Sequence, residues 1–316
     1  MSKEKISVIM SVYREPIEWL SKAINSILEQ DYPNLEFIII VDNPEDKTLH
    51  GYIKKREEED SRIRVLFNDK NIGLPESLNR GIKAAKGDYI ARMDADDISK
   101  KNRLSLELKY LLSNQLDLVA ANITDIDEEG KITNSSSCYP TTDFVIKKYL
   151  RYGSSMPHPT WLGRKEIFKN TEGYKNFLAA QDYEFLTRVS LQGYKLGVVK
   201  QPCLYYRINS KSISSEKKDL QKTILFYIRK NYRNEKVVDI DEWNEFIEST
   251  EGKNKVASLH NYYMKSATLK KALRQKKYFS FGIGMIHLLL ISEEARSLCR
   301  NLVGIFLLKL RYRKYF

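Results

Sequence analysis

The sequence is poor in cysteine, so neither a disulfide framework nor a zinc cluster can hold the fold together. Its 316 residues include only Cys138, Cys203 and Cys299, which are scattered and show no zinc-ligand spacing. Residues 1–5 run directly into a strand-like stretch, so we expect no signal peptide. Both observations predict a protein of the reducing cytoplasm.

Glycine-rich phosphate loops are also missing. No GxGxxG follows the first apolar stretch, and neither GxxxxGKS nor GxxxxGKT occurs, which disfavours a dinucleotide site and a P-loop. The Gly-rich, basic loop that a sugar nucleotidyltransferase would carry after its first strand is absent as well. A hydrophobic fraction of 42% and 20 Tyr exclude a disordered chain.

The excess of positive charge is confined to the end of the chain. The net charge of +12 comes from 53 Lys+Arg and 41 Asp+Glu. Residues 253–316 hold 14 of the bases and only two acids, so residues 1–252 are neutral overall. A nucleic-acid-binding module is the weaker alternative, because it would spread its charge over the folded body, and we expect no nucleic-acid partner. The asymmetry instead indicates an appended surface-binding segment.

Strand and helix patterns alternate along the first part of the chain. The stretch 35–41 is almost entirely apolar, as expected for a strand buried on both faces of a parallel sheet. The pattern predicts an α/β fold with an open, doubly wound and mostly parallel sheet. The predicted strands are 6–10, 35–41, 63–67, 89–93 and 116–121, and the predicted helices are 17–28, 47–59, 74–86 and 104–112.

In the second part of the chain, the regular alternation of strand and helix patterns stops, and the end of the chain is helical. No linker separates the second part from the first, so we predict one catalytic domain over residues 1–214, with halves 1–125 and 126–214, and a helical basic region over 215–316. The predicted helices are 145–150, 181–192, 219–232, 241–249 and 254–277, and the predicted strands are 195–199 and 204–208.

Polar residues collect where the predicted strands end, which is where open α/β sheets bind ligands. Two carboxylates, Asp94 and Asp96, flank the small Ala95 after the fourth strand and could face one Mg²⁺ or Mn²⁺ that also holds a diphosphate. The alternative is a helix N-terminus, with Asp97 or Ser99 capping a helix that starts near residue 100.

The loops after the first three strands offer further candidates. Asp42 could accept a hydrogen bond from a nucleobase, although a turn in Asp-Asn-Pro explains it equally well. Tyr13 and Glu15 could contact the same base or lie in an ordinary exposed loop. Asn71 and Gly73 fit a turn, and Gly73 would allow a ligand to approach the backbone closely.

Two residues of the second half are candidates for contact with an acceptor, meaning the molecule to which a group would be transferred. Asp182 opens a predicted helix, where it could be a general base for a hydroxyl nucleophile or simply an acid favoured by the helix dipole. His158 could contact the acceptor or the diphosphate, and a packed loop histidine is an equally good interpretation.

Taken in order, five segments resemble the family 2 glycosyltransferases of the GT-A fold. They are ISVIMSVY at 6–13, VDN at 41–43, NIGL at 71–74, KGDYIARMDADD at 86–97 and YYR at 205–207. Two motifs depart from the family pattern: Gln181 stands where Glu usually precedes the base, and Asn43-Pro44-Glu45 follow Asp42 in place of Asp-Gly-Ser.

The resemblance implies a role for each candidate residue. Asp96, with Asp94, would hold Mn²⁺ or Mg²⁺ and Asp182 would be the catalytic base, whereas His158 and Arg207 would contact the acceptor or the diphosphate. The implied nucleotide-binding residues are Ser11, Tyr13, Glu15, Asp42, Asn71, Gly73, Arg92, Asp94 and Ala95.

The resemblance also implies a reaction. An inverting, metal-dependent enzyme would move a hexose from a UDP- or dTDP-sugar to a lipid-linked oligosaccharide in the synthesis of a capsule, exopolysaccharide or O-antigen. A protein or a simple lipid is the alternative acceptor.

The C-terminal region combines apolar stretches with basic flanks. Residues 278–292 and 298–310 are too short to span a bilayer, and they predict a peripheral anchor on the anionic inner face of the cell membrane. The alternative is a pair of amphipathic helices that pack on the catalytic domain or on a second subunit in a homodimer.

Overall fold

The computed structural model describes residues 4–133, 138–177, 180–209, 218–274, 286–287, 289–290 and 293–316. Within them, eight strands form one sheet in the order β3-β2-β1-β4-β7-β6-β8-β5. The strands are β1 Ile6–Val12, β2 Leu35–Val41, β3 Ile63–Phe67, β4 Tyr89–Met93, β5 Ile98–Ser99, β6 Leu118–Ile126, β7 Leu162–Arg164 and β8 Leu196–Arg207.

Helices cover the sheet and continue to the end of the chain. The helices of the first half are α1 Ile17–Leu28, α2 Lys47–Glu59, α3 Leu74–Ala84 and α4 Arg103–Ser113. Those of the second half are α5 Asp143–Leu150, α6 Lys165–Asn170 and α7 Gln181–Leu191. Those of the C-terminal region are α8 Lys218–Arg233, α9 Ile240–Glu248, α10 Thr250–Arg274 and α11 Glu293–Arg311.

The first half confirms the predicted α/β architecture. Strands β3, β2, β1 and β4 are parallel neighbours, and every residue of β2 is buried, as its continuous apolar sequence requires. The helices between them follow from the same local rules: α1 buries Leu20, Ala23, Ile24 and Ile27 at helical spacing, and Asp46 caps α2 by accepting from the Leu49 N–H at 2.9 Å.

The second half of the sheet is mixed and corrects two predicted elements. Strand β7 is antiparallel to both of its neighbours, and the strand predicted to end at 121 continues as β6 to Ile126. The two strands predicted around Pro202 are one strand, β8, whose pairing with β6 shifts register near Asn122. Proline cannot donate to the ladder, and the irregularity absorbs it without ending the strand.

Two predicted helix ends also move. Helix α3 stops at Ala84 rather than at residue 86, because the backbone of Ala85 is already extended. The helix that the capping alternative starts near residue 100 begins at Arg103, close to the predicted 104–112, since Ile98 and Ser99 pair with β8 instead. Neither Asp97 nor Ser99 therefore caps it, and Asn102 occupies the N-cap.

The C-terminal helices are present as predicted and share the core of the catalytic domain. Ile224, Ile228 and Trp243 belong to the same buried cluster as Phe185 of α7. The predicted boundary at 214 and most of the apolar stretch 278–292 lie outside the described residues. No helix of the described segments is both long enough and apolar enough to cross a membrane.

Glu107, on the buried face of α4, gives the fold a pH-dependent component of stability. The side chain is fully buried, and neither carboxylate oxygen has a hydrogen-bond partner in the described part of the chain. Burial raises the pKa of Glu107 to about 8, although the nearby Arg103 acts in the opposite direction. The folded protein therefore keeps this proton at pH 7, whereas the unfolded chain releases it.

We expect Glu107→Gln to flatten the pH dependence of stability. A raised folded-state pKa gives a contribution that is fully present below the unfolded-state pKa and is lost between about pH 5 and 8, by about 1.4 kcal/mol per unit. The amide keeps the shape and does not titrate, so urea unfolding should show the variant more stable than wild type at pH 8. Glu58→Gln, on the exposed surface of α2, is the control, and an unchanged slope for Glu107→Gln would refute the expectation.

Candidate active site

The loop after β4 is organised by a buried arginine. The Arg92 guanidinium donates to the carbonyl oxygen of Met93 and forms an ion pair with the carboxylate of Asp94. The Arg92 side chain is 4% exposed and that of Asp94 is 31% exposed, so the pair connects the core to the surface of the cleft. Arg103 holds the strand from behind, because it donates to the carbonyl oxygens of Arg92 at 2.9 Å and Pro159 at 2.7 Å.

Asp97 and Arg207 fix the backbone of the same loop. The Asp97 carboxylate accepts from the Arg207 N–H at 2.8 Å, and Arg207 Nε donates to the Asp96 carbonyl at 2.8 Å. Arg207 Nη1 also donates to the carbonyls of Asp127 and Glu128, both at 2.9 Å. Most of the Arg207 donors are thus engaged within the protein, and only Nη2 is left without a hydrogen-bond partner in the described segments.

The acidic side chains of this edge interact strongly with one another. Burial, reinforced by the charges of Asp94 and Glu15, raises the pKa of Asp96 to about 7. Burial also raises the pKa of Glu15, and Asp94 adds to the effect. Asp97 is fully buried with one oxygen lacking a hydrogen bond, and its pKa lies well above the ordinary value because of burial and the charges of Asp96 and Asp94.

These carboxylates could bind a divalent cation if other groups supplied its remaining ligands. Carboxylate oxygens are the ligands that Mg²⁺ and Mn²⁺ prefer, and a cation would relieve the repulsion between Asp94, Asp96 and Glu15. However, the described residues include no group of three or more His, Cys, Asp or Glu side chains that could hold a metal ion. The predicted ligands Asp94 and Asp96 would therefore need oxygens from a bound diphosphate or from water.

Asp42 anchors the loop that follows β3. Its Oδ1 accepts from Asn68 Nδ2 at 2.7 Å and from the Ile72 N–H at 2.9 Å, and its Oδ2 accepts from the Gly73 N–H at 2.9 Å. Asn71 Oδ1 accepts from the same Gly73 N–H at 3.0 Å. Gly73 has φ of +82°, a conformation that glycine adopts without strain. Asp42 is itself only 3% exposed, and among the described residues its Oδ2 accepts one of these hydrogen bonds and its Oδ1 accepts two.

The loop after β1 lies beside the acidic edge. The Glu15 carboxylate accepts from the Tyr13 N–H at 2.8 Å, and Asn43 Nδ2 donates to the Tyr13 carbonyl at 2.9 Å. Tyr13 is half-buried beneath the Arg14 guanidinium, which lies 4.6 Å from its ring. Ser11 is the half-buried penultimate residue of β1, opposite Ile40 of β2. This loop is therefore tied to the loop after β2, as a shared base-binding wall requires.

Asp182 enters the same cleft from the first turn of α7. Burial raises its pKa, Asp94 acts in the same direction, and Arg92 and the backbone N–H groups of Tyr183 and Asp182 lower it. Asp182 is thus near enough to Asp94 and to the Arg92 guanidinium for both charges to act on its pKa. A carboxylate with a raised pKa is a better proton acceptor near neutral pH than an ordinary aspartate. Gln181, which replaces the family's usual Glu, is buried at the start of the helix.

His158 belongs to an aromatic cluster beside Arg92. Its Nε2 is hydrogen-bonded to the Tyr174 hydroxyl at 2.9 Å, and its ring meets Trp161 edge-on at 4.6 Å. Burial and the Arg92 charge hold the pKa of His158 well below its usual range, so the imidazole is neutral at pH 7. His158 is half-buried, and as a neutral ring it could orient a hydroxyl rather than neutralise a phosphate.

The segment that carries Tyr174 is clamped from two sides. Asn79 of α3 accepts from the Tyr174 N–H and donates to its carbonyl, both at 2.8 Å. Arg188 donates to the carbonyls of Thr171 and Gly173 and forms a buried, bidentate ion pair with Glu184. The ion pair lies on α7 behind Asp182, so the catalytic candidate and the aromatic cluster share one rigid support.

The structure brings most of the predicted residues to one edge of the sheet. Asp94, Asp96 and Glu15 form the acidic side, and Arg92, which pairs with Asp94, lies near enough to Asp182 and His158 to act on their pKa values. Ala95, which is 2% exposed, packs into the core and fixes the spacing of the two acids. Asp42, Asn71 and Gly73 form a separate hydrogen-bonded group, joined to the acidic side through the loop of Tyr13.

Sequence reasoning missed the residues that hold the site in shape. Tyr174, Asn79 and Arg188 complete the His158 and Asp182 region, yet no local pattern marks them, because Asn79 and Tyr174 lie 95 positions apart in the chain. Asp97 was visible next to the acidic pair, but its partner, the Arg207 N–H, lies 110 positions away.

Comparison with known proteins identifies the family. The family model for glycosyl transferase family 2 matches residues 7–171, which is more than half of the chain. The chain belongs to glycosyl transferase family 2. It is 32% identical over 238 residues to an uncharacterized glycosyltransferase of Methanocaldococcus jannaschii, covering 75% of this chain and 82% of that protein. It is also 31% identical over 212 residues to the O-antigen biosynthesis glycosyltransferase WbnJ of Escherichia coli, covering 66% and 82%.

Solved structures agree with this family 2 glycosyltransferase in fold. The S. aureus TarS 1-349 structure in complex with UDP-GlcNAc aligns with a TM-score of 0.58 at 15% identity, covering 98% of this chain and 92% of that one. The complex of the same protein with UDP aligns with a TM-score of 0.56 at 19% identity, covering 83% and 82%. The mixed sheet flanked by helices is thus the GT-A-like fold that the sequence predicted.

Proposed function

We propose that this glycosyltransferase transfers a hexose, with inversion at C1, from a UDP- or dTDP-sugar to a lipid-linked oligosaccharide in surface polysaccharide synthesis. One observation carries the proposal: burial raises the pKa values of the Asp182 and Asp96 carboxyl groups, and the charge of Asp94, which is paired with Arg92, acts on both of them. Direct displacement at a sugar carbon needs a base for the attacking hydroxyl and a positive charge that neutralises the leaving diphosphate.

The protein's own groups supply the acid–base chemistry. Asp182 removes the proton of the acceptor hydroxyl as the hydroxyl oxygen attacks C1 of the donor sugar. The new C1–O bond forms on the face opposite to the breaking bond between C1 and the diphosphate oxygen, which inverts the configuration. The neutral His158, held by the Tyr174 hydroxyl, would orient the acceptor or the sugar within the cleft.

Asp96 and Asp94 would hold the cation together with the diphosphate. When bound there, Mn²⁺ or Mg²⁺ would neutralise the negative charge that develops on the departing nucleoside diphosphate. The ion pair with Arg92 holds the Asp94 side chain in position. Tyr13, Asp42 and the Gly73 backbone would form the wall for the nucleoside, with Ser11 and Asn71 beside it.

The donor and acceptor classes are supported by the relatives. The TarS structures contain UDP and UDP-GlcNAc, and WbnJ is named for O-antigen biosynthesis. A lipid-linked acceptor would place the enzyme at the inner face of the cell membrane as a peripheral protein. The concentration of the positive charge in residues 253–316 supports such a location.

A panel of UDP-, dTDP-, GDP- and CMP-sugars, each with Mn²⁺, with Mg²⁺ or with EDTA, tests the proposal by thermal shift and by donor hydrolysis. We expect one or more UDP- or dTDP-sugars to stabilise the protein only with the cation, by about 2.7 kcal/mol when the ligand is at 100 times its Kd. Metal-independent binding would remove the role given to Asp94 and Asp96. Failure of every UDP- and dTDP-sugar to bind would overturn the proposed donor class.

A further inference from the structure

The C-terminal helix α11 is docked on the catalytic domain by one narrow face. Asn301 Oδ1 accepts from Arg233 Nη2 at 2.5 Å, and Leu308 is 9% exposed. Gly304 lies against the ring of Tyr152, since a Cβ at this position would sit 2.3 Å from Tyr152 Cε1. The glycine therefore allows close approach, and the helix is held as part of the folded body.

The end of the chain reinforces this docking. The Tyr315 carbonyl accepts from the N–H and the hydroxyl of Thr141 at 2.7 and 2.9 Å. The ring of Tyr312 meets Phe144 of α5 edge-on at 5.7 Å. Contacts near both ends of α11 thus determine which of its faces packs on the protein.

The opposite face of α11 is apolar and exposed. Its five large hydrophobic side chains are each between 55% and 60% exposed, and at 100° per residue they cover an arc of about 140°. Contiguous apolar surface of this kind marks an interaction site. The five are Leu302, Val303, Phe306, Leu307 and Leu310.

Basic side chains border this apolar face on both sides. In helical projection, Lys309 lies along one edge, and Arg300 and Arg311 lie along the other; all three are exposed. Arg313 and Lys314 extend the positive charge beyond the end of the helix. Long basic side chains can lie along apolar material while their charged ends reach the phosphate level of a lipid surface.

The dimensions favour a helix that lies flat on a bilayer. The span from Leu302 to Leu310 is about 12 Å long, far less than the roughly 30 Å hydrocarbon core. A wide apolar arc with a basic border is the pattern of interfacial helices.

Charge argues for lipid and against a second copy of this chain. A twofold interface would place the same patch of both copies face to face and would bring two rows of bases together. An anionic bilayer instead complements the 14 bases and two acids of residues 253–316.

We propose that Leu302, Val303, Phe306, Leu307 and Leu310 form a membrane-docking face that inserts into the headgroup region of an anionic bilayer. Because the opposite face of α11 is fixed to the catalytic domain, docking also sets the orientation of the cleft relative to the membrane plane. Neither the nucleotide sugar nor the transfer reaction is needed for this contact.

Sedimentation of the full chain with vesicles of phosphatidylcholine and phosphatidylglycerol tests the docking face. We expect Leu302→Gln/Phe306→Gln/Leu307→Gln to weaken binding at least about tenfold, because the apolar contact is removed while the charge stays. Arg300→Gln/Lys309→Gln/Arg311→Gln should weaken binding to the anionic vesicles and reduce its salt dependence. Pure phosphatidylcholine vesicles should bind the wild type poorly.

Ile132→Gln is the matched control, because Ile132 is 66% exposed and lies in the catalytic domain. It should bind vesicles as the wild type does, and circular dichroism should show the same helical content in every variant. The docking face would be overturned if the wild-type protein did not bind anionic vesicles. It would also be overturned if the Leu302→Gln/Phe306→Gln/Leu307→Gln variant bound them as well as the wild type does. A wild-type dimer that dissociates in the triple variant, with vesicle binding unchanged, would assign the face to a second copy instead.

Discussion

Asp182→Asn is expected to reduce kcat about 10²–10⁴-fold while leaving donor binding intact. The amide has nearly the same shape as the carboxylate, so α7 and its buried supports remain in place. It cannot accept the proton of the attacking hydroxyl, and the proton transfer loses its acceptor. Initial rates with a donor identified by the nucleotide-sugar panel measure kcat, and calorimetry with the same donor and Mn²⁺ measures its Kd.

The pH profile gives this prediction a second readout. Burial raises the pKa of Asp182, and only the ionised form can accept a proton, so wild-type kcat should rise with pH through that pKa. The residual activity of Asp182→Asn should lose that limb. Asp241→Asn, in the exposed first turn of α9, is a control with the same helical position and should behave as wild type. Near-normal turnover of Asp182→Asn would show that another group is the base.

The first half of the fold could be predicted because its signals are local. The apolar run of β2, the helical spacing in α1 and the polar residues at strand ends each depend on neighbours within a few positions. Parallel strands then align those ends without further information: Val12 lies opposite Val41, and Met10 lies opposite Met93. The positions of Asp42 and Asp94 at one edge follow directly.

The rest of the site depends on contacts that no local pattern encodes. Strand β7 has three residues and enters the sheet between β4 and β6, which turns the predicted parallel order into a mixed one. Arg207 was predicted to contact the acceptor or the diphosphate, and the structure shows most of its donors engaged by the backbone carbonyls of Asp96, Asp127 and Glu128. An arginine that binds a ligand and an arginine that supports a loop look the same in the sequence. Only the packing in the folded protein distinguishes them.

The C-terminal region shows the same limit in another form. Membrane contact and packing on the protein were alternative predictions for the apolar stretches 278–292 and 298–310. In the second of these, α11 packs through Asn301 and Leu308 and leaves Phe306 exposed. Hydrophobic content gives the amount of apolar surface. Which face of α11 packs on the protein and which stays exposed depends on how the helix lies against α5. Contacts with residues far away in the sequence determine that position.

Asp96→Asn is expected to lower kcat/KM about 10²–10³-fold and to remove the effect of Mn²⁺ on donor binding. An amide oxygen is a weaker ligand than a carboxylate for a hard cation, so the diphosphate loses its partner in the ground state and in the transition state. Thermal shift with UDP or dTDP, measured over a Mn²⁺ titration, should show metal-dependent stabilisation of the wild type and none of the variant. Asp69→Asn, exposed in the loop after β3, is the control at the same edge of the sheet.

The metal-free protein separates loss of the ligand from loss of the fold. Asp94 and Glu15 repel Asp96 in the absence of a cation, and together with burial they raise its pKa to about 7. At pH 8 the ionised Asp96 is therefore an electrostatic cost that Asn does not carry. Metal-free Asp96→Asn should thus be at least as stable as wild type while it is inactive. A variant that loses stability, or that keeps its Mn²⁺ dependence, would show that Asp96 supports the loop rather than the cation.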